Sequence, residues 1–402
     1  MTTAAQSWQP RRPPTTRDAD RAWALIEKLR PLVEAHITPE RVLRYTRKIA
    51  TTSAPSTAAS MTRAPVLYAL LAEDAAFDLP LRFDDDFEKT GTTVLMSGNG
   101  TRKPLWFLAH LDTISYLVQS RRNELYPLVP FCYHLIASGS RPAQALRYDL
   151  AAGAFTVCAE GELVSIDGTP YFRPAPSANV QLRPGDRIVP VAEFRLSEDG
   201  GISAHLDNAG GVAALAVAAP VLARFGFNAM FAFPDEEEGP RGSGNQMIGR
   251  GSARLVARLE PPDLAVVVDM QQAAVEDGSA TAAGRLGAGA LLSEFSSLAR
   301  GAVTPPPLYA LARETITRLR ASGVAVQESP NIYSSRSDDI SVMLRTSAIL
   351  LLGFPGYDRH FDHDFPRAHL SDLTNLSKSL VYMAALAAVI GDQGDHGVTA
   401  GV

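Results

Sequence analysis

Apolar residues recur along the chain with two different periods, and these periods predict alternating helices and strands. The helical spacing predicts helices over Ala19–Ala50 (interrupted before Pro39), Ala64–Ala75, Gly210–Phe225, Asn245–Arg258, Pro307–Gly323 and Ser371–Ile390. Short apolar runs predict buried strands over Thr92–Met96, Leu105–Ala109, Asn228–Phe233, Leu264–Asp269 and Ala348–Leu352. This alternation favours an α/β fold in which a mixed β-sheet is sandwiched by helices.

The segment from about 116 to 204 has a different pattern, with short apolar alternations separated by Gly and Pro. Such a pattern is typical of a small all-β unit, which would be inserted into the larger domain. The resulting division is a disordered tail over 1–20, a main domain formed by 21–115 and 205–392, and an inserted β-rich domain over 116–204.

The composition of the chain indicates its size class, the classes of partner that it disfavours and its cellular compartment. With 402 residues, of which 46% are hydrophobic and 20% charged, the chain can form one large and one smaller domain. A net charge of −5 does not favour nucleic acid or an anionic membrane as a partner. The longest apolar runs are too short to cross a bilayer, and the N-terminus lacks the apolar region of a secretory signal. The two isolated cysteines, Cys132 and Cys158, fit a reducing cytoplasm.

Side chains that can bind metals lie mostly at or just after the ends of predicted strands, where sites form in α/β sheets. They are His110 with Asp112, Asp207, the acidic run Asp235–Glu238, Asp269, and a late cluster that contains His360 and His363. In an extended segment, His110 and Asp112 project to the same side. The carboxylate can then accept the second imidazole N–H and orient the histidine as a ligand.

Each of these motifs alone has an ordinary structural explanation. Asp207 could be a helix N-cap, the acidic run a solvated loop, and the late histidines part of a polar surface loop. The combination is more specific, because two histidines and three carboxylates can hold two adjacent divalent ions that share one carboxylate. Nitrogen and oxygen ligands without thiolate suit zinc, cobalt or manganese. A glutamate beside them would act as general base for an activated water.

From about Leu43 to Ile390, the chain resembles the tetrahedral (TET-type) aminopeptidases, a family of co-catalytic metallopeptidases. The motifs that carry the resemblance are His110-Leu-Asp112, Leu206-Asp207-Asn-Ala-Gly, Glu236-Glu237-Glu238-Gly239-Pro-Arg-Gly242, Val268-Asp269 and Pro355-x-x-x-x-His360. The 97 positions that separate His110 from Asp207 leave room for the small β-barrel that this family inserts there.

The resemblance implies a role for each matching residue. One ion would be held by His110, Asp207 and Asp269, and the second by Asp207, Glu237 and His360. Asp207 would bridge the two ions, which are expected to be zinc, with cobalt or manganese as alternatives. Glu236 would act as the general base, and Asp112 would orient His110.

Departures from the family pattern leave two assignments open. Glu238 stands where an apolar residue is common, so that Glu237 as base and Glu238 as ligand form a second possible register. Gly239 and Gly242 fall into place with the first register, which is therefore preferred. His363 is the alternative to His360, because both lie in the same late loop.

The function expected from the resemblance is removal of N-terminal residues from small peptides by a cytoplasmic, two-metal aminopeptidase. A homo-oligomer is expected, because relatives assemble through the inserted domain. Two other functions fit the same residues: an amidohydrolase acting on N-acyl amino acids, and a non-catalytic binding protein that kept the fold.

Overall fold

The computed structural model describes residues 13–390, apart from 123, 179, 192, 240–248, 274–283 and 330–337. The helices are α1 Thr16–His36, α2 Pro39–Ala50, α3 Ala59–Glu73, α4 Ala209–Arg224, α5 Arg250–Val256, α6 Pro306–Ala321, α7 Asp338–Met343 and α8 Leu370–Ile390. The strands up to residue 190 are β1 Leu81–Asp84, β2 Thr92–Ser97, β3 Leu105–Leu108, β4 Ser115–Val118, β5 Tyr126–Phe131, β6 Gly139–Asp149, β7 Ala154–Ile166, β8 Thr169–Pro174 and β9 Arg187–Pro190. The later strands are β10 Arg195–Leu196, β11 Gly201–Ser203, β12 Ala229–Pro234, β13 Leu264–Gln272, β14 Ala290–Ser293, β15 Val326–Glu328, β16 Ile349–Gly356 and β17 Arg367–His369.

A large mixed sheet organises the main part of the molecule. Among the described residues it contains eight strands, in the order β1-β2-β12-β3-β13-β16-β14-β15. The central strands β12, β3, β13 and β16 are parallel to one another. Every residue of β3, β12 and β16 is buried, as expected for parallel strands that are covered on both faces.

Helices cover both faces of this sheet, as predicted. On one face, α4 and α8 pack against the strands, and α1 and α2 pack against these two helices. On the other face, α5 contacts β2 and β12, and α7 contacts β13 and β16. The fold is therefore a mixed sheet sandwiched by helices.

Helix α8 is longer than the apolar run seen in the sequence. By length and composition it could cross a bilayer, with a mean hydropathy of 1.5. However, 67% of its apolar window is buried inside the protein. Burial of this extent identifies α8 as a core helix that packs against α1, α2 and α4.

A small closed β-barrel is formed by β4-β5-β8-β7-β6-β9. It has its own hydrophobic core, which includes Tyr116, Phe172 and Ile188 and is separate from the core of the large sheet. All of its strands lie between Ser115 and Pro190, close to the segment predicted to be an inserted β-rich domain. The domain boundaries themselves stay a prediction.

The predicted disordered tail over 1–20 extends too far. Helix α1 begins at Thr16, because the backbone N–H and the hydroxyl of Thr15 both donate to Asp18 Oδ2 at 2.8 Å. The Asp18 carboxylate thereby caps the first turn of the helix. Residues 1–12 of the predicted tail lie outside the described residues.

Candidate metal centre

The parallel strands bring four predicted groups to one edge of the large sheet. His110 follows the end of β3, the acidic run follows β12, and His360 lies in the loop after β16. Asp269 lies within β13, which continues three residues further than predicted. Because parallel strands end on the same side, the side chains converge there.

Asp207 joins this edge from the start of α4. The cap of α4 is the neighbouring Asn208, whose Oδ1 accepts the Gly211 N–H at 3.2 Å. The Asn208 Nδ2 donates to the Val268 carbonyl at 2.8 Å, which ties the helix start to β13. Asp207 is therefore not the capping residue, and its carboxylate points into the cluster.

The first group of possible ligands consists of His110, Asp207 and Asp269. The His110 Nε2 lies 3.2 Å from Asp207 Oδ1 and 3.5 Å from Asp269 Oδ1. One ligand atom from each residue lies within 4.8 Å of the others. This group contains the three residues predicted for the first ion.

The second group consists of Asp207, Glu238 and His360. The His360 Nε2 lies 3.3 Å from Glu238 Oε2 and 3.7 Å from Asp207 Oδ2. The two carboxylate oxygens of Asp207 therefore face different histidines, Oδ1 towards His110 and Oδ2 towards His360. This is the arrangement expected of a carboxylate shared by two ions.

The four consecutive acids point in different directions. Asp235 accepts the backbone N–H groups of Thr57 and Ala59, each at 2.9 Å, and thereby caps the start of α3. Glu236 has a positive φ of 64° and forms an ion pair with Arg254, whose Nη2 lies 2.5 Å from Glu236 Oε1.

Glu237 faces the first group, with its Oε2 3.8 Å from His110 Nε2, and Glu238 belongs to the second group. The preferred register, with Glu236 as base and Glu237 as ligand, does not agree with these positions. The geometry favours the alternative, with Glu237 beside the first group and Glu238 among the possible ligands of the second.

Asp112 accounts for this register. Its Oδ1 accepts the Glu237 N–H at 3.1 Å, and its Oδ2 accepts the Glu238 N–H at 3.3 Å and the Ser56 hydroxyl at 2.6 Å. The same carboxylate lies 3.5 Å from His110 Nδ1, which also faces the Asp112 carbonyl at 3.1 Å. Asp112 therefore orients the imidazole and fixes the backbone of the two glutamates.

The electrostatics are those of a buried anionic cluster. Burial raises the pKa of Asp207 to about 6, and the nearby Asp269 carboxylate adds to this effect. Burial acts to lower the pKa of His110, but the surrounding carboxylates, Glu237 foremost, raise it well above its ordinary value. Burial also acts to lower the pKa of His360, but the charge of the neighbouring Glu238 carboxylate and its hydrogen bond to the ring act in the opposite direction, so that this pKa is raised. The surrounding carboxylates therefore favour the protonated form of both imidazoles, and a metal ion would compete with protons for these nitrogens.

Two buried residues near the cluster were not predicted. Arg63 of α3 is fully buried and donates to the Leu111 carbonyl at 2.7 Å and the Thr52 carbonyl at 3.1 Å. Burial lowers its pKa to about 10, so that it stays positively charged at neutral pH. Asp338, at the start of α7, has a pKa raised by burial to about 7. A lone Arg in an apolar helical pattern gave no signal, whereas the Asp338-Asp339 pair could have been noticed.

The remaining described histidines do not join either group. His363, the alternative to His360, is 86% exposed and faces Asp358 and Asp362 instead. His205 contacts the Pro190 carbonyl at 2.7 Å, as expected for a satisfied structural histidine. His396 and Gly242 lie outside the described residues.

The residues present fit two divalent cations. Glu238 Oε1 is buried and has no hydrogen-bond partner within the part of the chain that the structure describes. A buried carboxylate oxygen without a donor is costly unless a cation neutralises it. The donors are imidazole nitrogens and carboxylate oxygens, which suit zinc and its neighbours in the first transition series.

Solved structures with this fold include several aminopeptidases. One is an aminopeptidase from the archaeon Desulfurococcus kamchatkensis, 18% identical, with a TM-score of 0.66 over 89% of this chain and 99% of that one. Another is the TET1 peptidase of Pyrococcus horikoshii, which can assemble into a tetrahedron or a large octahedral shell. It is 18% identical, with a TM-score of 0.63 over 85% of this chain and 99% of that one. A third is the TET aminopeptidase of a marine sediment Thaumarchaeota archaeon, 14% identical, with a TM-score of 0.66 over 87% and 99%. At these identities the likeness confirms the predicted fold.

The sequence itself carries the family assignment. No curated protein matches the chain. A family model, described as peptidase family M20/M25/M40, matches residues 184–388, a little over half of the chain. The matched part begins before Asp207 and extends beyond the loop that holds His360. The chain therefore belongs to peptidase family M20/M25/M40.

Proposed function

We propose that the protein is a two-metal aminopeptidase, which removes the N-terminal residue from small peptides. The observation that carries this proposal is the arrangement of two His–carboxylate groups around Asp207, with the Glu237 carboxylate 3.8 Å from His110 of the first group. One ion would be held by His110, Asp207 and Asp269, and the other by Asp207, Glu238 and His360. Zinc is the expected metal, with cobalt or manganese as alternatives.

Two bound divalent ions would polarise the scissile carbonyl and lower the pKa of the attacking water. Glu237 is the proposed general base. Its carboxylate would accept a proton from the water and later deliver that proton to the leaving amine. Asp112 would hold the backbone of Glu237 and the His110 ring in place during both transfers. The free α-amine of the peptide would bind near the carboxylates of the cluster.

Purified protein reconstituted with Zn²⁺, Co²⁺ or Mn²⁺ provides the test. We expect metal-dependent cleavage of aminoacyl-anilides, abolished by a chelator and restored by the ion, and no cleavage of N-acyl amino acids. Cleavage of N-acyl amino acids alone would replace the proposed aminopeptidase by an amidohydrolase that uses the same groups. Two bound ions without cleavage of either class would instead favour a binding protein.

We further propose a cytoplasmic homo-oligomer. Both cysteines are free, with Cys132 buried, which fits a reducing compartment. Oligomerisation is supported by the fold shared with the TET1 peptidase, which forms a tetrahedron or an octahedral shell. Light scattering coupled to size exclusion should give a mass well above 43.1 kDa, whereas a monomer would contradict this part of the proposal.

A further inference from the structure

The loop that carries His360 extends from the large sheet but packs on the β-barrel. It connects β16 to β17, and two of its residues, Asp358 and Phe361, have positive φ angles of 53° and 60°. For a bulky residue such as Phe361, this conformation is unfavourable and persists only where the surroundings hold it. The structural question is therefore which contacts keep the His360 ring in position.

One contact is made by the residue next to His360. The Phe361 side chain is fully buried and belongs to the hydrophobic core of the barrel. Its ring packs against His205, with the two ring centroids 4.8 Å apart, and against Phe365 at 6.0 Å. The loop is thus anchored in the barrel by one aromatic side chain.

A second contact is made by His360 itself. Its Nδ1 faces the carbonyl of Tyr133 at 2.8 Å, and Tyr133 follows the barrel strand β5. A carbonyl in this position accepts the Nδ1–H and leaves Nε2 free to face Asp207 and Glu238. The barrel therefore selects the tautomer that a metal ligand needs.

The third contact is made by Arg141, on the barrel strand β6. Its Nε donates to the Phe361 carbonyl at 3.2 Å, and its Nη2 donates to the carbonyls of Asp362 at 3.3 Å and His363 at 3.0 Å. Its Nη1 donates to the Ser140 carbonyl of its own strand at 3.0 Å. The planar guanidinium thus links β6 to three successive carbonyls directly after His360.

From these contacts we infer that Arg141 is a positioning residue for the second metal ion. It holds the backbone after His360 against the barrel and keeps the imidazole aimed at Asp207 and Glu238. The first group does not depend on Arg141 in this way, because the strands β3 and β13 hold His110 and Asp269 in position. Loss of Arg141 should therefore weaken the second ion and leave the first unchanged. This inference rests on the proposed metal centre.

The test is a Zn²⁺ titration of Arg141→Gln, with bound ions counted by native mass spectrometry and affinities measured by chelator competition. Interactions that orient a metal ligand contribute roughly 10–100-fold to affinity. We expect the second ion to bind 10–100-fold more weakly in this variant, with the first ion unaffected. Arg141→Lys keeps the charge but not the planar set of donors, and it should recover only part of the loss.

Arg173→Ala is the matched control, because Arg173 lies on the barrel strand β8 and forms a surface ion pair with Glu162. It should bind both ions as the wild type does. Equal weakening of both ions in Arg141→Gln, unchanged binding of both, or failure of this variant to fold would each overturn the inference. Fewer than two ions in the wild type would instead overturn the proposed metal centre itself. Peptide cleavage does not enter either readout.

Discussion

The two groups of proposed ligands around Asp207 differ in the contacts that hold them in place. His110 and Asp269 lie at or within buried strands of one sheet, so their backbone is fixed by strand pairing. Glu238 and His360 lie in loops that contain residues with positive φ angles. These loops are held by the backbone N–H at the start of α3, by the Arg254 side chain of α5 and by the Arg141 side chain of the barrel.

This difference predicts that the second group is the more easily perturbed. Strand pairing is cooperative and involves many backbone hydrogen bonds. The loops depend on a few individual contacts, such as Glu236 with Arg254 and Arg141 with the carbonyls after His360. A single substitution can remove one of these contacts without unfolding the sheet.

The largest effect is expected at Asp207, the residue common to both groups. Asp207→Asn should bind neither ion tightly, and peptide cleavage should fall by about 10³-fold or more, because metals supply several kcal/mol of transition-state stabilisation. Asp269→Asn and Glu238→Gln should each lose one ion only, the first and the second respectively. Metal analysis of the three variants gives the number of ions that each one binds. If Asp207→Asn keeps one full equivalent, Asp207 is not shared.

The next largest effect should separate the two registers of the acidic run. Glu237→Gln should keep both ions while cleavage falls by about 10²–10⁴-fold, the usual contribution of a general base. Glu236→Gln weakens the ion pair with Arg254 but leaves the base, so that cleavage should fall far less. Steady-state kinetics with metal counts provide the comparison. If Glu236→Gln lost peptide cleavage while Glu237→Gln kept full activity, the register preferred from the sequence, with Glu236 as base and Glu237 as ligand, would be correct.

Arg63 should contribute most to the free energy of unfolding when neither group holds a metal ion. Its positive charge lies near Asp112, Asp207 and Glu238. Removing one partner from a buried set of charges typically costs about 3–5 kcal/mol. Arg63→Met should therefore lose about 3 kcal/mol of unfolding free energy without metal, and less with Zn²⁺ bound.

Urea unfolding with chelator and with Zn²⁺ measures both values for Arg63→Met. Arg63→Lys is the control that keeps the charge and should lose less in the metal-free protein. An equal loss with and without Zn²⁺ would mean that Arg63 acts through packing alone.

The smallest effect concerns pH and lies outside both groups. Burial raises the pKa of Asp372 to about 6, although its carboxylate accepts the N–H groups of Gly287 and Gly289. A folded-state pKa above the unfolded value of about 3.9 means that this group's contribution is lost as pH rises towards and through 6. Between pH 5 and 7 the loss is about 1 kcal/mol.

Asp372→Asn should remove that part of the pH dependence, measured by urea unfolding of the metal-free protein at pH 5 and pH 7. Metal binding should not change, which separates the pH response of the scaffold from that of the ligands. A variant with the same pH dependence as the wild type would contradict the assignment to Asp372.

The same difference between the two groups explains how much could be predicted. The fold followed from apolar periodicity, because buried parallel strands such as β13 are nearly continuous apolar runs. His110, Asp207 and Asp269 followed from their positions next to these strands. The end of a predicted strand locates such a residue to within one or two positions, so that few alternative assignments remain.

The second group could not be assigned uniquely from the sequence, because the loop conformation decides it. Which of four consecutive acids faces the cluster depends on Asp112 accepting two backbone N–H groups and on Arg254 pairing with Glu236. Asp112 lies 125 residues from Glu237 in the chain, and Arg254 lies 18 residues from Glu236, so neither contact follows from the local sequence. Arg141 and Arg63 escaped prediction for the same reason, since an arginine at such a position gives no local signal of the carbonyls that it binds.

The most direct test is anomalous X-ray diffraction at the zinc edge from crystals of the wild-type protein reconstituted with Zn²⁺. We predict two anomalous peaks, both next to the Asp207 carboxylate. One should adjoin His110 and Asp269 and the other Glu238 and His360, with Glu236 still paired to Arg254. A single peak would contradict the proposed two-metal centre, and a second peak that adjoins Glu237 rather than Glu238 would contradict the proposed assignment of ligand and base.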